Sequence, residues 1–128
     1  MNKTELVDAA LKSRQNAYAP YSKFCVGAAL LTRSGRVFCG GNVENVSLGL
    51  TICAEQVCVG AAIAAGESDF EMIAVAADSE IPIVPCGACR QVLAEFSPAL
   101  EILSSTLDGE MANFRLDELL PRPKQGIL

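Results

Sequence analysis

The sequence predicts an α/β fold, a three-layer sandwich built on a mixed sheet of about five strands. Three observations support this prediction. The 128 residues lie within the usual size of one domain, 51% of them are apolar, and helix and strand patterns follow one another as they do when helices cover a sheet. No linker, repeat or low-complexity stretch interrupts the order, so residues 1–128 are expected to form a single domain.

The first half of the chain predicts a helix followed by an antiparallel hairpin. Apolar residues recur at helical spacing over residues 4–16. Two β-rich runs follow, residues 24–32 and 36–42, and the turn-forming Arg33-Ser34-Gly35 joins them. The polar residues 42–47 then leave the sheet as a loop.

The second half predicts two inner helices and three further strands. Residues 51–65 predict an alanine-rich helix, apolar nearly all round and largely buried, and residues 86–96 predict the second. The remaining elements are a buried strand at 72–77, strands at 102–105 and 111–114 around the turn Asp108-Gly109, and a closing helical turn at 116–120.

Composition narrows the class of partner. The formal net charge of −5 argues against nucleic acid, because binding a phosphate backbone usually needs a clustered basic face. A small, nearly neutral molecule fits better. The apolar stretches are too short for a membrane span, and the N-terminus has charged residues where a secretory signal would be apolar, so we expect no membrane partner and a cytoplasmic protein.

The chain has six cysteines and no histidine. In a reducing cytoplasm, metal binding or core packing explains the cysteines better than disulfides do. The absence of histidine removes the Ser/His and Cys/His nucleophilic mechanisms, histidine-ligated zinc and the usual general base. Carboxylates and thiolates are therefore left to do any acid–base or metal chemistry.

Two cysteine motifs lie where a loop becomes a helix, Cys53-Ala54-Glu55 and Pro85-Cys86-Gly87-Ala88-Cys89. A helix N-terminus lowers a thiol pKa and so favours the thiolate that zinc binds. Three ligands, Cys53, Cys86 and Cys89, would leave a fourth tetrahedral position for water, which favours a catalytic Zn²⁺ over a structural one. The other cysteines are possible fourth ligands that fit core packing better: Cys25, Cys39 and Cys58.

Glu55 is the predicted catalytic acid and base. It lies two positions beyond Cys53 at the start of a buried helix, where an unpaired carboxylate would be costly. A carboxylate beside metal-bound water can take a proton from it and pass the proton on. The alternative, a glutamate that caps the helix, explains neither Cys53 nor the second cysteine motif.

With these motifs in place, the sequence resembles the small homotetrameric zinc-dependent cytidine deaminases through almost its whole length. The resemblance is carried, in order, by Tyr18-Ala19-Pro20-Tyr21-Ser22-Lys23-Phe24, Val26-Gly27-Ala28-Ala29-Leu30, Asn42-Val43-Glu44-Asn45, Cys53-Ala54-Glu55, Pro85-Cys86-Gly87-Ala88-Cys89-Arg90-Gln91 and Glu118-Leu119-Leu120-Pro121. It implies hydrolysis of cytidine or deoxycytidine to the uridine product and ammonia, a place in pyrimidine salvage, and a homotetramer whose subunits share active sites.

The resemblance also implies roles for individual residues. Glu55 would move protons between the attacking water, the ring nitrogen and the leaving amine. Asn42 and Glu44 would hold the ribose hydroxyl, and Phe24 would pack against the nucleoside. Backbone groups around Ala54 and Pro85 would read the pyrimidine edge.

Four positions depart from the family pattern. Gln56 stands where an arginine usually follows the first motif, which leaves Arg90 and the helix dipoles to help acidify the metal-bound water. Val46 and Leu48 differ in the loop near the sugar, and Lys124 stands where an aromatic residue of a neighbouring subunit usually stacks on the base. These departures leave open a modified cytosine nucleoside, another aminopyrimidine or aminopurine nucleoside, or a nucleoside antibiotic. From a different class, a structural zinc module that binds a partner stays an alternative.

Overall fold

Five strands form one mixed sheet in the computed structural model, which describes residues 1–127. The strands are β1 Val26–Thr32, β2 Val37–Gly41, β3 Phe70–Ala77, β4 Glu101–Thr106 and β5 Met111–Arg115. Their order across the sheet is β2-β1-β3-β4-β5. β3 and β4 are parallel, and every other neighbouring pair is antiparallel. The predicted mixed sheet is therefore confirmed.

The α-helices of residues 1–127 are α1 Lys3–Ser13, α2 Ala54–Ala64, α3 Gly87–Ala94 and α4 Leu116–Leu119. A capping box starts α1: Glu5 donates its backbone N–H to Asn2 Oδ1 at 2.8 Å, and Asn2 donates its own to Glu5 Oε1 at 3.1 Å. None of these helices has the length and apolar character that crossing a membrane requires.

The helices cover both faces of the sheet. On one face, Leu6 and Ala10 of α1 pack in a buried cluster with Ala29 and Leu31 of β1. On the other, α2, α3 and α4 cover a larger buried cluster that includes Ala28, Leu30, Ala54, Cys58, Phe70, Leu93, Ile102 and Leu116. Alternate residues of β1 thus serve the two layers, as the pleat of a strand requires. The predicted three-layer sandwich is confirmed.

Two glycines let the hairpin of β1 and β2 approach its neighbouring helices closely. A Cβ added to Gly27 would lie 2.0 Å from the carbonyl oxygen of Ala10, and one added to Gly40 would lie 2.8 Å from Val57 Cγ1. Interiors are packed too tightly to absorb such overlaps without movement, so a larger residue would push α1 or α2 away from the sheet. These contacts hold the hairpin between the two helices.

Several element boundaries differ from the predicted ones. Helix α2 begins at Ala54 instead of residue 51, because the backbone of Ile52 exchanges two 2.9 Å hydrogen bonds with Val43 and is held extended. β1 begins two residues later than predicted, and α3 covers Gly87–Ala94 instead of residues 86–96. A short 3-10 turn, Leu48–Leu50, follows the predicted loop.

The expectation that α2 is largely buried is wrong for one side of the helix. Five of its eleven residues are buried; four of them belong to the core cluster on this face of the sheet, and the fifth is Glu55. Gly60, Ala61 and Ile63 are exposed, and Ile63 exposes 43% of its surface. The helix is apolar nearly all round, as its sequence indicates, but its neighbours cover only one side.

Candidate active site

The three predicted cysteine ligands lie together between the starts of two helices. Cys53 is the N-cap of α2, Cys86 is the N-cap of α3, and Cys89 lies in the first turn of α3. Their sulfur atoms are 3.9 Å apart for Cys53 and Cys86 and 3.4 Å apart for Cys86 and Cys89, and all three lie within 4.8 Å of one another. The structure therefore brings the two motifs to one point.

This sulfur cluster fits a tetrahedral zinc ion. Zn–S bonds of about 2.3 Å place the sulfurs of a regular tetrahedron about 3.8 Å apart, close to the spacing observed. Among residues 1–127, these three cysteines are the one group of potential ligands that lies close enough to share an ion. Three protein ligands leave a coordination position open, as in catalytic zinc sites.

The remaining cysteines lie outside the cluster. Cys58 is fully buried in the core under α2, as predicted for a small apolar residue. Cys25 is half-buried. Cys39 is exposed, so the interpretation of this residue as part of the core is wrong: it lies on β2, an edge strand of the sheet, where one side has no neighbouring strand.

The thiols of the cluster differ in acidity. Burial alone would raise the pKa of Cys86, but hydrogen bonds from the backbone of Cys89 and from neighbouring groups lower it below its ordinary value. Burial raises the pKa of Cys53 and of Cys89, and the charge of Glu55 raises both further. The expected effect of a helix start on thiol pKa thus holds for Cys86 and is outweighed by burial at the other two, so metal binding must release protons from them.

Glu55 is a buried carboxylate in the first turn of α2. It exposes 4% of its surface, and burial raises the pKa of its carboxyl group, an effect that hydrogen bonds to its own backbone and to Cys89 only partly oppose. α2 has no capping box, and the side chain lines a cleft beside the cysteines. Glu55 therefore forms no capping box, although its carboxylate accepts a hydrogen bond from its own backbone N–H.

The cleft has a volume of about 240 Å³ and combines apolar walls with the cysteine cluster. Its lining residues are Phe24, Val26, Asn42, Thr51, Cys53, Ala54, Glu55, Ile83, Val84 and Cys86. Of the residues predicted to bind substrate, Phe24, Asn42 and Ala54 therefore lie at the cleft, whereas Glu44 lies outside its lining.

Sequence reasoning missed four lining residues: Val26, Thr51, Ile83 and Val84. Two of them had a signal in the sequence, because Thr51 precedes the first cysteine motif by two positions and Val26 belongs to a motif shared with the family. Ile83 and Val84 lie between two prolines just before the second cysteine motif, and only the folded chain shows that they turn towards the cleft.

Asn42 and Glu44 both bind the segment that carries Phe24. Asn42 is 8% exposed, accepts the Val26 N–H through Oδ1 at 2.9 Å, and donates through Nδ2 to the Phe24 carbonyl at 2.9 Å. Glu44 accepts the backbone N–H groups of Tyr21 at 3.0 Å and Ser22 at 3.1 Å, and also the Ser22 hydroxyl. These hydrogen bonds lower the pKa of Glu44, the Ser22 hydroxyl most of all.

Gln56, which replaces the usual arginine, contacts the cysteine cluster. Gln56 Nε2 donates to Cys89 Sγ at 3.5 Å, so a neutral amide contacts the cluster. The guanidinium of Arg90 donates to the carbonyl oxygens of Pro85 at 2.8 Å and Leu119 at 3.2 Å and contacts no sulfur, so any effect on the metal-bound water would be that of a nearby charge and stays a prediction.

The other three departures lie at the surface of the chain. Val46 and Leu48 are 77% and 73% exposed. The backbone of Lys124 forms two hydrogen bonds with the Gln91 side chain, of 3.0 and 3.1 Å, which hold the C-terminal segment against α3.

A three-layer α/β sandwich in which a three-cysteine group lies beside a cleft lined by Cys53, Cys86 and a buried glutamate has the ligand number of a catalytic zinc site. The sequence matches the family model "Cytidine and deoxycytidylate deaminase zinc-binding region" over residues 1–103. The chain belongs to this family, and zinc is its metal. The family, fold, enzyme class and metal predicted from the sequence are thereby confirmed.

Curated relatives and solved structures agree with this assignment. The chain is 46% identical over 122 residues to the cytidine deaminase of Halalkalibacterium halodurans, covering 94% of this chain and 92% of the relative. The crystal structure of cytidine deaminase from Burkholderia pseudomallei superposes with a TM-score of 0.94 at 46% identity, covering 97% of this chain and 100% of that one. That of Mycobacterium tuberculosis superposes with a TM-score of 0.83 at 40% identity, covering 96% and 97%.

Proposed function

We propose that the chain hydrolyses cytidine and deoxycytidine, or a modified cytosine nucleoside, to the uridine product with release of ammonia or an amine. One observation carries the proposal: a buried carboxylate with a raised pKa lines the same cleft as a three-cysteine zinc site. The apolar cleft walls suit a flat, neutral pyrimidine better than a charged ligand.

Cys53, Cys86 and Cys89 would hold the zinc, which when bound supplies a Lewis acid that makes a water molecule a better nucleophile. Glu55 would take a proton from the attacking water and deliver it to the ring nitrogen next to C4. The same carboxyl would then carry a second proton from the added hydroxyl to the amino group, which leaves as ammonia. Burial, which raises the pKa of Glu55, lets it hold a proton between these transfers.

Substrate would lie between the side chain of Phe24 and the aliphatic wall of Ile83 and Val84. Backbone groups at Ala54 and Pro85 would read the edge of the pyrimidine, and Asn42 would face the sugar with its remaining N–H. Glu44 would offer the ribose the part of its carboxylate that Tyr21 and Ser22 leave free.

The variant Glu55→Gln tests the mechanism, because it keeps the size of the side chain and removes the proton carrier. We expect kcat to fall by about 100-fold to 10,000-fold, the usual contribution of a general acid–base catalyst. Zinc content and melting temperature should stay near those of the wild type. Glu71→Gln is the matched control, since Glu71 is an exposed residue of β3. A structural zinc module would predict that Glu55→Gln keeps full function.

A substrate panel tests the reaction itself. Purified, zinc-loaded protein would be given cytidine, deoxycytidine, N4-substituted analogues, an aminopurine nucleoside and a cytosine-based nucleoside antibiotic while ammonia or amine release is followed. Cytidine or deoxycytidine should give the highest kcat/KM. A preference for the aminopurine or the antibiotic would reassign the substrate without changing the chemistry.

The active form would be a homotetramer in which subunits share active sites. Exposed apolar side chains support an interface: Ile63 on the outer side of α2, and Val46, Leu48 and Leu50 in the segment before Cys53. Sedimentation should give four times the chain mass, and activity should fall on dilution below the dissociation range; an active monomer would contradict this.

A cytoplasmic location and a role in pyrimidine salvage stay predictions, to be tested by fractionation and by growth on cytidine as the pyrimidine source.

A further inference from the structure

Ser22 lies at the centre of the hydrogen bonds that hold the loop before β1. Its hydroxyl donates to Glu44 Oε2 and at the same time accepts the backbone N–H of Phe24 at 3.0 Å. A hydroxyl has one donor and two acceptor sites, so both bonds can form together. We propose that Ser22 is a positioning residue for nucleoside binding, coupling the orientation of the Glu44 carboxylate to the placement of Phe24; this inference rests on the proposed deaminase function.

The backbone of the loop is shaped to make this contact. Lys23 has a φ of 61°, in the left-handed region that residues other than glycine rarely adopt. Its N–H donates to the Ala19 carbonyl at 3.0 Å, which closes a turn. The turn folds the chain back so that Phe24 N–H reaches the hydroxyl two residues earlier. A conformation that costs about 1 kcal/mol or more is thus held where it serves the cleft.

Phe24 is anchored on both sides of its backbone. Ser22 Oγ holds its N–H, and Asn42 Nδ2 holds its carbonyl oxygen at 2.9 Å. The Phe24 side chain, which lines the cleft, is therefore aimed by two side-chain hydrogen bonds. Loss of the Ser22 hydroxyl would remove one of these anchors and leave the other in place.

Ser22 also fixes how much of Glu44 is free. A carboxylate has about four acceptor sites, and three donors from Tyr21 and Ser22 already occupy Glu44. About one site stays available to a sugar hydroxyl, in an orientation set by the Ser22 hydroxyl. Because Glu55 lies on α2 and not on this loop, Ser22 should affect substrate affinity and leave the proton transfers unchanged.

The variant Ser22→Ala tests the proposal against a second serine–glutamate pair in the same chain. Ser34 also donates to a carboxylate, that of Glu67, but it lies in the β1–β2 turn at the opposite end of the hairpin from the cleft. We expect Ser22→Ala to raise KM for cytidine about 5- to 30-fold, which is roughly the loss of two intramolecular hydrogen bonds of about 0.5–1 kcal/mol each, with kcat within about twofold of wild type. Ser22→Thr, which keeps the hydroxyl, should restore most of the affinity, and Ser34→Ala should leave KM unchanged.

Binding of the product uridine, measured by calorimetry on zinc-loaded protein, gives a readout independent of turnover, and its Kd should rise with KM in Ser22→Ala. An unchanged KM and uridine Kd, a fall in kcat alone, or an equal effect of Ser34→Ala would overturn the inference. Failure of Ser22→Thr to recover affinity at an unchanged melting temperature would also overturn it. If the wild type neither deaminates cytidine nor binds uridine, the proposed function itself is wrong. If the wild type does both and Ser22→Ala behaves like it, only the inference about Ser22 is wrong.

Discussion

The two ends of the sheet use the same kinds of side chain in opposite ways. At the end where β3 and β4 begin, carboxylates are partly exposed and pair with cations: Glu101 Oε1 lies 2.7 Å from Lys3 Nζ, and Asp69 Oδ1 lies 3.4 Å from Arg33 Nε. At the cleft end, Glu55 is 4% exposed and belongs to none of the ion pairs found within residues 1–127.

The consequence is visible in the acidity of the two carboxylates. The hydrogen bond from Lys3 lowers the pKa of Glu101 and so stabilises the charged form of this carboxylate. Burial raises the pKa of Glu55, so the fold disfavours its charged form instead of stabilising it. The comparison teaches that the same side-chain type is held charged by a cation at one end of the sheet and kept without such a partner at the other, where the proposed mechanism moves a proton.

The largest expected effect comes from removing a metal ligand at the cleft end. In Cys89→Ser, the buried thiol becomes a poor zinc ligand, and we expect metal content to fall well below one ion per chain. Mutating a residue that only hydrogen-bonds a metal ligand can cost roughly 100-fold in activity. Loss of a ligand itself should reduce activity further than that. Metal analysis together with the rate of ammonia release checks this.

Cys39→Ser is the matched control for that substitution. Cys39 is an exposed cysteine outside the cluster, so its replacement should keep the metal, keep the activity and change the free energy of unfolding by about 0.5 kcal/mol or less. Full zinc occupancy in Cys89→Ser, or metal loss in Cys39→Ser, would contradict the three-cysteine site.

A smaller effect should follow from adding a cation beside the cluster. Gln56 Nε2 lies 3.5 Å from Cys89 Sγ, so Gln56→Arg would place a positive charge where the chain now has a neutral donor. A cation favours ionised thiols and a more acidic attacking water, which shifts the acid limb of the pH profile of kcat/KM downwards by up to about one unit. Gln56→Leu, which has neither charge nor donor, should not produce this shift. A profile that Gln56→Arg leaves unchanged would remove the electrostatic argument.

Most of the fold could be predicted because its signals are local. The hairpin turn, the apolar strand β3 and the two inner helices follow from periodicity and turn residues alone. The boundary of α2 could not be predicted, because a tertiary bridge from Val43 to Ile52 overrides the helical pattern before Cys53. The exposure of Cys39 likewise depends on β2 lying at the sheet edge, which no local pattern reveals.

The chemical centre was easier to predict than the rest of the cleft. Local patterns place Cys53 and Glu55 at the start of one helix and Cys86 and Cys89 at the start of another, and the family resemblance implied that the two starts meet. The contacts of Glu44 with the turn before β1, and those of Arg90 with two carbonyls, depend on where loops fold in space. Metal ligands and the neighbouring carboxylate occur in short motifs that can be recognised in a sequence, whereas contacts that position loops do not.

The smallest expected effect is at the other end of the sheet, in the pair of Lys3 with Glu101. Lys3→Met keeps the aliphatic stem and removes the charge, and the side chains are 53% and 30% exposed, so solvent screens the pair. We expect the free energy of unfolding to fall by about 1 kcal/mol or less, with kcat/KM unchanged. Because the Glu101 pKa is lowered in the folded chain, the stabilisation is present above the unfolded pKa of about 4.3 and is lost as pH falls through the folded value.

The difference between wild type and Lys3→Met should therefore be full at pH 7 and shrink towards zero in acid. Denaturant unfolding at several pH values measures it, and a double-mutant cycle with Glu101→Gln isolates the pair from effects on α1. A coupling energy of several kcal/mol between Lys3 and Glu101 would contradict the expectation that solvent screens this ion pair. A change in kcat/KM would mean that the two ends of the sheet are energetically coupled, which the distance between the ion pair and the cleft residues does not predict.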